Sequence, residues 1–210
     1  MLAPLEPALL RALQQDGTSR ALYGVLTAVH VGLARHGEVA VAAATPDLFA
    51  AMPRLMAQHV ILLDAAKPTK QSAANGGGDG GYTGGGVDME VVLPLLGTAP
   101  HLLAPLLDRL ADVALEREGG ALRISGTENP RVTAVAPAVR ALAAARCLQC
   151  IFTAEKLRLA GLAAEESVKH MLDVLAKVPG DDVTMHTAAA LRTLCDALRN
   201  SAQDAFGRGL

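Results

Sequence analysis

Leu103, Leu106, Leu107, Leu110, Val113 and Ala114 stand at offsets of 0, 3, 4, 7, 10 and 11. That spacing draws one apolar stripe down a helix and cannot be laid on a strand, which needs alternation. The pattern returns at Val168, Met171, Leu172, Leu175 and Val178, and again at Ala190, Leu191, Leu194, Cys195 and Leu198. A chain with such stripes has to bury helix faces against helix faces. Its apolar residues suit the task. They make up 51 % of the sequence, yet there are only two Tyr, three Phe and no Trp, so the core must be built from Ala, Leu, Val and Met. Ala and Leu are the strongest helix formers, whereas a sandwich or barrel would draw on β-branched and aromatic residues. An all-α fold is expected, and 210 residues suffice for one domain or about five stacked helical units.

Start and stop signals divide the chain. Pro7 suits a first helical turn, and Gly17 stops that helix. Thr18 or Ser19 caps the next one, which runs toward His36 and ends at Gly37. Thr45-Pro46-Asp47 opens a helix carrying Leu48, Met52, Leu55 and Met56, in which Pro53 predicts a kink. Thr98 or Ala99 is expected to open the helix of the 103–114 stripe, with Gly119-Gly120 closing it. Asn129-Pro130 begins another helix, which Pro137 splits; its longer part carries Ala144, Ala145, Leu148, Ile151 and Phe152. Pro179-Gly180 stops the 168–178 stripe, and Asp181 or Asp182 caps the last helix.

Residues 67–87 break this style. Eight of the eleven residues from Gly76 to Gly86 are glycine, a composition that loses too much entropy on ordering to build an element. The segment reads as a flexible insertion between helices at 1–66 and 88–210. Doubling a loop costs only ~0.6 kcal/mol, so a helical stack tolerates it.

Several function classes are excluded. The net charge is −2 and no Lys/Arg run or aromatic platform appears, against nucleic-acid binding. The longest apolar runs are broken at Arg35 and by prolines between Val91 and Leu107, and no signal peptide opens the chain, so no membrane role is expected. Three cysteines, an odd number, suit a reducing compartment, the cytoplasm or the nucleus. The GxGxxG match at Gly76, Gly78 and Gly81 lacks a strand directly before it, and no P-loop occurs. Cys147-x-x-Cys150 lies within a buried helix stripe and has no second ligand pair, so it reads as core packing. The six histidines are scattered, without HExxH, and no GxSxG is present. Glu165 and Glu166 sit in a first helical turn, where their charge favours the dipole. No catalysis, cofactor or metal is expected.

The chain also repeats itself. Ala144-Ala145-Arg146-Cys147-Leu148 with Ile151 is echoed by Ala188-Ala189-Ala190-Leu191 with Leu194, and Leu148 and Leu191 are 43 residues apart. That is the length of one armadillo or HEAT unit, and small side chains let neighbouring helices approach. On these residues the chain resembles the armadillo repeat family. Leu191 to Gly209 is similar to the family's Ala-rich helix, followed by a polar loop at Arg199–Asp204 and a Gly at the start of a third helix. Leu148 to Val178 fits with Gly161 in the Gly position. Leu22 to Met56 fits more weakly, with Glu38–Ala44 as the segment before the turn, and 87–118 fits poorly. HEAT repeats share these features.

The resemblance implies a superhelical solenoid whose third helices line a groove. The groove-facing residues implied are Arg54 and Gln58 on one helix, and Lys169, His170, Asp173 and Lys177 on another. An extended peptide or a partner helix is the implied ligand. The Trp and Asn that importin-α-like receptors carry on their third helices are missing, which argues against that activity. The expected function is a protein-binding scaffold or adaptor. Alternatives are a regulatory helical segment of a larger protein and an armadillo-type chaperone cofactor. Leu191 is expected in the core of the last repeat. Because the pattern stops within that repeat, either a longer solenoid or self-association through its uncapped face is expected.

Overall fold

A computed structural model describes residues 5–66, 89–115, 129–154, 157, 160–161 and 163–207, and the side chains among them except those of 115, 197, 198 and 200–207. The described residues are helical throughout their regular elements and contain no strand. The helices are α1 (Glu6–Asp16), α2 (Ser19–His36), α3 (Glu38–Ala44), α4 (Pro46–Ala65), α5 (Val92–Thr98), α6 (Leu103–Leu115), α7 (Pro130–Thr133), α8 (Pro137–Thr153), α9 (Glu165–Leu175) and α10 (Asp181–Gly207). The Gly-rich stretch at 67–87 and the Gly119-Gly120 stop lie outside the described residues.

Most of the expected boundaries hold. Thr18 caps α2 by accepting a hydrogen bond from the Ala21 amide, and Gly37 leaves the helix at φ 78°, a conformation that side chains resist. Asn129 caps α7, and Pro137 stands at the head of α8. Thr45 behaves differently from a simple cap. Its hydroxyl turns back to the Val41 carbonyl at the end of α3, 3.0 Å away. The amide of Leu48, near the start of α4, instead donates to the buried carboxylate of Glu6 from α1. Asn129 does similar work for α1: its Nδ2 donates to the carbonyls of Leu13 and Gly17 at 3.1 and 2.7 Å. Helix ends are thus satisfied by residues distant in sequence, which ties the N-terminal helices together.

Packing follows an orderly succession. α4 lies between α2 and α8, and α8 lies between α4 and α10. A second set covers them: α5 packs on α2, α6 on α4 and α8, and α9 on α6 and α10. α1, α3 and α7 close the side of α4. The 103–114 stripe of α6 is entirely buried, as are Leu22, Leu26, Met52, Leu55, Ile61 and Phe152. Each such Leu or Phe contributes about 1.5–3 kcal/mol of burial as an upper estimate. The close approach of helices is visible at Gly161, where a Cβ would come within 2.6 Å of the Phe152 ring.

Four expectations need correction. Of the two starts expected for the 103–114 helix, Ala99 caps the Pro100–Leu102 3-10 turn that runs into α6, whereas Thr98 closes α5, its hydroxyl donating to the Pro94 carbonyl. Glu38–Ala44 is itself a helix. The polar loop expected at Arg199–Asp204 is helical, because α10 runs on to Gly207. Asn200 and Ser201 each disfavour a helix by well under about 1 kcal/mol, too little to stop one made otherwise of good formers. Leu191, expected in the core, is 38 % exposed.

Candidate functional site

The six groove residues fall into two separate places. Lys169, His170, Asp173 and Lys177 share the exposed side of α9 and the turn after it. They face outward because Val168, Met171, Val174 and Leu175 take the opposite side into the core. Lys169 is held by its own helix, with Nζ 2.8 Å from Glu165 and 3.3 Å from Glu166. The hydrogen bond and charge of Glu165 raise the lysine above its usual value, and Lys169 lowers Glu165 in turn. Lys177 is exposed, and among the described residues it makes no ion pair.

Arg54 and Gln58 do not join this face. They belong to α4, which α6 separates from α9. Gln58 is 1 % exposed, so it cannot line an open groove. The reason is the position of α4: with helices on several sides, the part of its surface that carries Gln58 is covered. Arg54 is half-buried, and desolvation holds its guanidinium below the usual arginine value.

Sequence reasoning missed a polar cluster at the junction of α4, α8 and α10. Arg146 Nη1 lies 2.9 and 3.1 Å from the two carboxylate oxygens of Asp64, whose side chain is 1 % exposed. Arg146 Nε donates to His186 Nε2 at 3.2 Å, and His186 Nδ1 is 2.6 Å from Gln149 Oε1. A guanidinium only donates, so Nε2 must be the accepting nitrogen and Nδ1 must carry the proton. The arrangement is complete only with a neutral imidazole. Burial lowers the His186 pKa first, and the Arg146 cation lowers it further, against smaller opposing pulls from Asp182 and Asp64. The signal existed: Asp64 closes the apolar run from Val60 to Leu63, and Arg146 interrupts an alanine patch. Lone charges on buried helix faces need partners.

Cys147 is buried and Cys150 half-buried, both as free thiols, and burial followed by the Cys150 charge pushes the Cys147 thiol far above its ordinary range. Such a thiol is a packing group rather than a nucleophile. Among the described residues, no group of three His, Cys, Asp or Glu is placed to hold a metal ion, and no helix is long and apolar enough to cross a membrane.

A cavity of about 220 Å³ opens between the first turn of α2 and the second half of α4, lined by Ser19, Arg20, Tyr23, His59 and Leu63. Ser19 and Tyr23 share one face of α2, and His59 and Leu63 share one face of α4. Nothing in the sequence pairs those two faces.

Comparisons with protein-family models, with curated proteins and with solved structures give no match for this chain.

Proposed function

We propose that the chain is a protein-binding scaffold built on an armadillo-like superhelix, acting through its outward helix faces rather than through catalysis. The observation that carries this reading is the succession of packed helices, α2 to α4 to α8 to α10 with α5, α6 and α9 laid over them. Helices stacked in succession are how repeats build long surfaces. The 43-residue echo in the sequence supports it, since its two copies occupy α8 and α10, an extensively packed pair. The outward face of α9 and the turn after it offer both signs of charge: Lys169, His170, Asp173 and Lys177. Such a face suits a polar peptide or helix. Arg54 and Gln58 are no part of it.

The test places a photo-crosslinking amino acid at Asp173 and, as control, at exposed Arg192 on α10. A protein captured from Asp173 and not from Arg192, and lost in Lys177→Glu, supports the reading. Capture that ignores both the position and the charge reversal overturns it.

A further inference from the structure

We infer that the cavity at the head of α2 is a receptor for the C-terminal residue of a partner peptide. The carboxylate lies against Arg20, and the apolar side chain is seated between Tyr23 and Leu63. The inference rests on the protein-binding reading and names the chemistry of one partner feature.

Three observations converge on this occupant. The first is size. At about 220 Å³ the cavity is smaller than the roughly 300–1,000 Å³ of pockets that take whole small-molecule ligands, so it suits a single residue. The second is wall chemistry. Tyr23 is 42 % exposed, its ring centroid 6.0 Å from that of His59, and Leu63 completes an apolar side. His59 is 2 % exposed, and its Nδ1 is 3.0 Å from the Ser19 carbonyl. A carbonyl can only accept, so Nδ1 carries a proton and the ring is pinned as a wall of the cavity. The third is charge. Arg20 is exposed at the rim, and among the described residues its side chain makes no hydrogen bond or ion pair. Ser19 and Arg20 also occupy the first turn of α2, where the helix dipole adds to the attraction for an anion.

An apolar body and a carboxylate within one residue's reach describe a peptide C-terminus. An Asp or Glu side chain supplies the charge without the apolar group. A free amino acid brings an ammonium, and among the described residues no Asp or Glu lines the cavity to receive it. A phosphate dianion wants more than one cationic fork.

The experiment titrates the ¹⁵N-labelled full chain with acetyl-Gly-Ala-Leu, with its C-terminal amide, and with octanoate. Amide shifts at Ser19, Tyr23, His59 and Leu63 with the acid peptide, none with the amide at equal concentration, and about tenfold weaker binding in Arg20→Gln are expected. Tyr23→Ala weakens the acid peptide as well and leaves the rest of the spectrum in place. Equal binding of acid and amide, indifference to Arg20→Gln, shifts elsewhere, or binding of octanoate alone would overturn the assignment. A scaffold that still crosslinks a partner from Asp173 while the acid peptide fails here loses this site and keeps its function. Loss of that crosslink with peptide binding intact does the reverse.

Discussion

The same short motif meets two fates on α8 and α10. Leu148 and Ile151 are fully buried, whereas Leu191, the counterpart of Leu148, is 38 % exposed and Leu194 only half-buried. The residue types hardly differ; the neighbours do. α8 is enclosed by α4, α6 and α10, while α10 leans on α8 and α9 among the described residues. Burial in a stacked arrangement is therefore a property of position as much as of sequence. The exposed large apolar side chains fit this view: Leu5 and Leu9 lie at or on α1, Tyr23 and Val31 on α2 and Val39 on α3, while Met185 and Leu191 lie on α10.

The largest test sets the two copies against each other. Leu148→Ala should cost about 2–5 kcal/mol in urea unfolding, because it opens a cavity in a closed site. Leu191→Ala should cost less than about 1 kcal/mol, and Leu191→Asp should leave the protein folded, its carboxylate reaching water. Equal losses at both positions would mean that something covers α10 in solution, and the contrast would collapse. The next effect concerns the charge joining the two helices to α4. Arg146→Met removes the Arg146 cation from the buried Asp64 carboxylate, at a cost of about 3 kcal/mol. Adding Asp64→Leu should recover most of that loss, because a buried pair replaced by apolar groups of similar size is close to neutral. A double variant no better than the single one would show that Asp64 is held by other groups.

How much of this was readable in advance depends on the range of the interaction. The stripe on α6, the Thr18 cap, Gly37 and the Pro137 break are local matters of spacing and capping, and the sequence states them directly. Gln58 and Leu191 were misplaced for one shared reason. Periodicity says which residues share a face, but not which helix, if any, lies opposite. The same limit hid the cavity, which needs Tyr23 and His59 from different helices. Glu6 and Asn129 are further cases: they cap helix ends from 42 and up to 116 residues away, and no short window contains both partners. The Asp64–Arg146 pair was partly legible, since each charge interrupts an apolar stretch and so calls for a counterpart.

Smaller effects sharpen the comparison at its other end. Asn129→Ala should cost about 1–2 kcal/mol in the same unfolding assay, because two carbonyls at the end of α1 lose a buried donor. Arg131→Ala breaks an exposed pair with Asp16 and should cost less than about 1 kcal/mol. If the order of these two reversed, the N-terminal helices would be tied by surface charge rather than by the buried amide.

The smallest expected effect is a pH dependence at the α8–α10 junction. The folded pKa of His186 lies below the unfolded value of about 6.5, since burial and Arg146 disfavour the imidazolium. As pH falls, the unfolded chain takes up the proton first. The His186 contribution is thus fully present above about pH 6.5, and is lost as pH falls from there toward the folded value. Protonation also removes the acceptor for Arg146 Nε and sets two cations side by side. His186→Gln keeps an acceptor and a donor but does not titrate. The check is the difference between wild type and His186→Gln in urea midpoint at pH 7.5 and at pH 5.5, which cancels the other five histidines. The wild type should lose more on acidification, by less than about 1 kcal/mol for a group this exposed to solvent. Parallel losses would show that α10 is free of the charge cluster in solution. The wild type losing more would show that the exposed copy of the motif, loosely packed as it is, remains registered to α8 through its polar end.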